Sequence, residues 1–167
     1  MSGLDPRQFL EHVVRPALAA LPPEYHTTAA EQLVLGTAAV ESKLRWLKQV
    51  GGGPAMGLFQ MEPVTFRDIR DRFLRERPKL GSAFRHSAVA LRPEADELCW
   101  NLRLAALCCR LRYIMSPHQL PPAHDVPALA REWKSTYNTH LGAGQPADFE
   151  QAWAAIIAPA KIDWAQP

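Results

Sequence analysis

The chain has 167 residues, 47% of them hydrophobic and 22% charged, with a formal net charge of +2. That length and balance fit one globular domain over residues 1–167 and exclude a disordered or fibrous chain. A charge so near neutral gives no footprint for nucleic acid, and no apolar run approaches the ~20 residues of a membrane span.

Taken in order, Pro and Gly divide the chain into segments of helical period. Asp5-Pro6 reads as a cap followed by proline at the first helical position, leading into Phe9, Val13 and Leu18, with Pro16 kinking or ending the helix. "LPPEYHT" is a loop. Thr28 with Glu31 three residues later predicts a capping box and a helix from about Ala29 to Trp46, ended by "QVGGGPAMG". Pro63 opens a helix through Phe66, Ile69 and Phe73. The Arg-rich stretch from Arg67 to Arg92 reads as a solvated helix face. From Pro93, "EADELCWNLRLAALCCRLRYIM" predicts a long helix, apolar on more than one side and therefore central. After "SPHQLPPAHD", a helix from Pro127 carries Leu129, Trp133 and Tyr137, and a last one from about Pro146 carries Phe149, Trp153, Ile156 and Ile157. No alternating strand pattern of convincing length appears, and the one candidate for extended backbone is a short turn near Gly57 to Met61. The expected class is all-α, with six or seven helices.

Cys99, Cys108 and Cys109 are odd in number, fit no metal spacing and fall in the most apolar segment, which reads as buried free thiols. His12, His26, His86, His118, His124 and His140 show no ligand spacing either, so no metal and no cofactor is expected. The first residues, "MSGLDPRQFLEH", lack the basic region and apolar core of a signal peptide.

Chemistry concentrates in "AAVESKLRWLKQVGGGPAMGLFQMEPVT", residues 38–65. On the expected helix Glu41 shares a face with Val34, Thr37 and Ala38, which offer it no cation. An acid among such neighbours loses hydration when ionised, so its pKa rises and it can serve as a general acid. The alternative is an outward Glu41 paired with Arg45 at i,i+4. Gly51 to Gly53 and Gly57 let the following backbone turn and approach closely, and Gln60 adds an amide suited to sugars and N-acetyl groups.

These residues resemble a known family. "AVES" followed by "GPAMGLFQMEPVT" is similar to the Glu-Ser … Gly-Leu-Met-Gln … Pro-x-Thr signature of lytic transglycosylases, in the lysozyme-like superfamily that includes goose-type lysozymes. A third block of that family, a Tyr-Asn pair, is matched by Tyr137-Asn138 in "STYNT". Phe59 stands where Met is usual, Thr139-His140 stands where Ala-Gly is common, and the 67–92 stretch has no counterpart in the pattern.

The resemblance implies a lysozyme-like helical domain that cuts the β-1,4 bond between N-acetylmuramic acid and N-acetylglucosamine in peptidoglycan glycan strands. It implies Glu41 as the catalytic acid and Tyr137 with its hydroxyl against Glu41, or else as a core ring. Ser42, Met56, Gly57, Phe59 and Gln60 would form the sugar site, with Asn138 holding its corner. Glu62 either faces the cleft, where it would orient water for a hydrolytic, lysozyme-type reaction, or favours the positive end of the next helix. A different outcome is a non-catalytic phage virion or tail component with the same fold. Without a signal peptide, a chain made in the bacterial cytoplasm would reach the wall after lysis, in a virion or through specialised secretion.

Overall fold

Helix starts are set by side chains that satisfy the first free backbone N–H groups. Asp5 accepts from the Gln8 N–H, Thr27 from Ala30, Asn101 from Leu104 and Asp125 from Ala128. The computed structural model describes residues 3–139 and 142–165. Over these residues the fold is all-α, with seven helices and two isolated bridges, Lys48 to Met56 and Met56 to Met61, in the loop after the second helix.

Helix α1 covers residues 6–18, as an α-turn Pro6–Phe9, a π segment Leu10–Val14 and a second α-turn Arg15–Leu18. Pro16 therefore does not end it. A proline cannot donate to the carbonyl four residues back, and the chain widens into π turns just before it. Helix α2 is Thr28–Ser42, α3 is Pro63–Asp71 and α4 is Pro78–Ser87. Helix α5 is Leu102–Ile114. Helices α6 and α7 each pass from α into π geometry, as Val126–Glu132 with Trp133–Asn138, and Pro146–Ala152 with Trp153–Ile157.

Three expectations are corrected. Thr27, not Thr28, caps α2, and Glu31 turns away from the cap to pair with Arg15 at 3.1 Å and His26 at 2.8 Å, fastening α1 to α2. The long helix expected after Pro93 is divided into a 3-10 turn Ala95–Cys99 and α5, because Asn101 leaves helical geometry to cap α5. Buried Glu97 braces that break, accepting from Asn101 Nδ2 at 2.8 Å and from the Val89 N–H at 2.7 Å. The Arg-rich stretch is more than a solvated face. It contains α4, whose Leu80, Ala83 and Phe84 are buried.

Helices α2 and α5 run through the middle. Every residue from Ala29 to Ala39 is buried, as is every residue from Leu104 to Leu111. One contiguous apolar cluster draws on all seven helices, including Leu10, Leu33, Phe66, Phe84, Leu107, Leu129 and Phe149. Cys108 and Cys109 lie in it, whereas Cys99 is half-buried, its thiol donating to the Leu47 carbonyl at 3.1 Å. No helix of the described residues is long and apolar enough to cross a membrane.

Gly36 is the closest fit between helices. A Cβ there would come within 2.2 Å of Phe149 Cζ, and the Phe149 ring is fully buried with no room to retreat. We expect Gly36→Ala to destabilise the fold by about 1–3 kcal/mol, the usual cost of overpacking, read as a lowered urea midpoint.

Candidate active site

Glu41 stands one residue before the end of α2. The helix stops at Ser42, four residues short of the expected Trp46, because Lys43 and Leu44 both adopt left-handed backbone (φ 55° and 54°). This turn drives Leu44 into the core, where it is 1% exposed, and its burial offsets the backbone strain. Arg45 is thereby taken off the helix, and its guanidinium lies over the Trp46 ring at 4.7 Å. The i,i+4 pair with Glu41 does not form.

The partner of Glu41 comes from α6 instead. Trp133 donates its indole N–H to Glu41 Oε1 at 2.9 Å, across 92 residues of sequence. Burial pushes the Glu41 carboxyl up from the ordinary 4.5 to about 7, and the Trp133 hydrogen bond opposes that rise in part. The acid is thus poised near neutrality with a fixed orientation, and no ion pair joins it to a cation among the described residues.

On one side of Glu41 lies a cleft of about 660 Å³, whose lining includes Trp46, Gln60, Glu62, Arg112, Tyr137 and Asn138. On the other lies a hollow of about 580 Å³ with Val40, Lys43, Trp133, Asn138 and Gln151 in its wall. Glu41 and Asn138 belong to both, so the acid stands where the two meet.

Of the residues expected at the site, Glu41, Gln60, Glu62, Tyr137 and Asn138 come together at the cleft. Gln60 adopts φ 47° and donates its amide to the carbonyls of Gly57 (2.8 Å) and Trp46 (3.3 Å), leaving its side-chain oxygen for a ligand. Glu62 is exposed and occupies the N-cap position of α3, yet its side chain makes no capping hydrogen bond. Asn138 accepts from Lys134 Nζ at 2.8 Å, and the same ammonium donates to the Gly142 carbonyl at 2.9 Å. Thr139 follows with φ 62° and ψ 177°, a conformation that suits glycine. His140 lies outside the described residues.

Ser42, Met56, Gly57 and Phe59 are not among the residues lining the cleft. Ser42 is buried and donates back to the Ala38 carbonyl at 3.0 Å, as a helix-end hydroxyl does. Phe59 is a core residue 6.2 Å from the Phe9 ring. Gly57, at φ 72°, lies against the Leu98 carbonyl, where a Cβ would come within 2.5 Å. Met56 is half-buried and pairs its backbone with Met61 in both directions at 3.0 Å. Tyr137 donates its hydroxyl to the Phe59 carbonyl at 2.9 Å rather than to Glu41, and its ring stacks on Tyr113 at 5.5 Å. It is both a core ring and a cleft wall.

No family model, curated protein or solved structure matches the chain. Among the described residues no group of three or more His, Cys, Asp or Glu side chains gathers as a metal site. What marks this place is a carboxylic acid held by an indole at the junction of two hollows. Trp133 was hidden among core residues in the sequence. Its spacing of four from Tyr137 was the available signal, since on one helix both rings face the same way.

The raised Glu41 pKa has a thermodynamic signature. A folded-state value above the unfolded one adds stability that is fully present below pH 4.5 and is lost as pH rises through about 7. Relative to Glu41→Gln, which has no charge to bury, the wild type should lose up to about 3 kcal/mol over this window. Paired urea titrations at pH 4 and pH 8 read that difference.

Proposed function

We propose that this protein cleaves peptidoglycan glycan strands at the β-1,4 bond between N-acetylmuramic acid and N-acetylglucosamine, as a lytic transglycosylase with Glu41 as its acid. The observation that carries the reading is the Glu41 carboxyl, raised to about 7 and fixed by Trp133 where two hollows meet. A polymer lying through both hollows would have sugar units on either side of the acid. The block order Glu41-Ser42, Gly57 to Gln60 and Tyr137-Asn138 agrees with the family resemblance.

The protonated Glu41 gives its proton to the glycosidic oxygen as the C1–O bond breaks. The departing sugar leaves with a neutral hydroxyl, and positive charge develops at C1 of the muramoyl unit. Glu41, now a carboxylate, takes the proton of that unit's C6 hydroxyl while O6 bonds to C1, giving a 1,6-anhydro end and restoring the acid. The nucleophile is tethered to the substrate, so no second protein carboxylate is required. Gln60 and Asn138 hold the sugars through their amides, and Trp46, 44% exposed at the rim, offers an aromatic face.

Burial of a protonated acid suits catalysis and has no use in a purely structural phage tail part, which favours an enzyme over a scaffold. Delivery in a virion or through lysis would bring the active protein to the wall. Zymography on purified walls tests activity directly. Glu41→Gln should cut activity by about 10²- to 10⁴-fold while the fold persists. Wild-type activity should decline above pH 7 as the acid ionises. A Glu41→Gln protein as active as wild type would remove the site assignment.

Glu62 supports a second reading, hydrolysis. It lines the cleft and its side chain is not spent on capping α3. To act, it would have to hold a water against C1 and take its proton. We expect mainly 1,6-anhydro ends by mass spectrometry, with little change in Glu62→Gln. Reducing-end muramic acid that disappears in that variant would assign Glu62 as the base of a hydrolytic lysozyme.

A further inference from the structure

Sugar hydroxyls and N-acetyl groups are neutral, whereas a guanidinium carries a fixed positive charge and five donors that a carboxylate matches best. Arg112, in the last turn of α5, is the one cationic side chain among the described residues that line the 660 Å³ cleft. It is half-buried, and among the described residues its side chain has no hydrogen-bond or ion-pair partner. Other enclosed arginines are engaged. Arg15 meets Glu31, Arg70 meets Asp71 and Glu94, and Arg110 donates to the Tyr25 carbonyl. A guanidinium in a partly enclosed wall with no internal acceptor is suited to an anion from outside, because its planar fork matches a carboxylate and attraction strengthens away from bulk water.

Two acids share this cleft, and Arg112 pairs with neither. No ion pair joins it to Glu41 or Glu62. Only burial and the Trp133 hydrogen bond act appreciably on Glu41. A cation close by would hold that acid ionised, so Arg112 stands far enough away to leave the proton in place.

The geometry points to Arg112 as a binding site for a carboxylate of the peptide stem borne by muramic acid, an inference that rests on the glycan-cleaving reading above. In peptide-bearing strands the lactyl carboxyl is tied up in an amide and carries no charge. The free carboxylates lie farther out, on the stem, where a cation set apart from the reacting bond can reach them. Arg112 then distinguishes peptide-substituted wall glycan from neutral polymers of N-acetylglucosamine. A strand stripped of its stems exposes the lactyl carboxylate, the other source of the same chemistry.

The test is calorimetric binding in the Glu41→Gln background, which leaves the ligand uncut, with wall cleavage by the wild type measured in parallel. The probes are a peptide-bearing wall tetrasaccharide, the same glycan without stems, and a tetramer of N-acetylglucosamine. Adding Arg112→Gln should lower affinity for the peptide-bearing glycan, relative to the neutral tetramer, by about tenfold or more. Arg112→Lys should recover part of this preference, and rising salt should erode it only where Arg112 is present. A relative loss confined to the stem-free glycan would reassign the anion to the lactyl group and overturn the stem. Equal loss for all three probes, or none, would overturn the carboxylate site while wall cleavage by the wild type leaves the enzymatic reading standing. A folded wild type that leaves walls intact and a background protein that binds no probe would remove that reading and this inference together.

Discussion

The burial of helix α2 on every side is the constraint from which the rest of the molecule follows. Its residues Ala29 to Ala39 are all buried, so other helices must enclose it. Small side chains make this feasible by letting neighbours approach, down to Gly36 beneath the Phe149 ring. Glu41 occupies the turn where that enclosure begins to open. One turn earlier the acid would be sealed from any substrate, and on an exposed turn it would be an ordinary surface carboxylate. The N–H of Trp133 then fixes its orientation and keeps desolvation from driving its proton affinity still higher.

Backbone strain gathers around the same place. Lys43, Leu44, Gln60 and Thr139 all have positive φ, and each such position costs of order 1–3 kcal/mol for a residue with a side chain. Three of the four are held by something specific nearby. Leu44 is buried, Gln60 is tied by its own amide to two carbonyls, and Thr139 follows the Asn138–Lys134–Gly142 linkage. The loop from 43 to 61 is thus determined by local hydrogen bonds and a few inward side chains, with hardly any regular secondary structure to support it.

Helix class and the starts at Pro6, Pro63 and Pro146 were legible because prolines and short polar caps act locally, and the apolar periods are strong. Glu41 as a poorly hydrated acid was legible only as one of two outcomes, since its helical neighbours three, four and seven residues earlier offer no cation whereas Arg45, four residues later, does. What lay beyond the sequence depended on distant contacts. The stop at Ser42 requires the pocket that receives Leu44, and Glu31 abandons its capping box for Arg15 and His26. Trp133 finds Glu41 across 92 residues. Ser42 and Phe59, expected at the sugar site, are buried in the structure, because local spacing does not say which side of the loop faces inward. Helix α4 was overlooked because the arginines around Leu80 and Phe84 masked its apolar spacing.

The stack of aromatic rings behind the acid has a consequence for timing. Trp133 rests against Phe149 at 6.1 Å, Phe149 against Trp153 at 6.2 Å, and Trp153 against Trp164 at 6.0 Å. The indole that grips Glu41 is therefore backed by segments synthesised well after the helix that bears it. On a growing chain, Glu41 emerges as a hydrated carboxylate with an ordinary proton affinity. Its proton affinity rises only with burial, and the 146–157 helix supplies the Phe149 ring that packs behind Trp133. A partly made chain therefore carries every residue of "AVES" and "GLFQ" before the packing that raises the Glu41 carboxyl is complete.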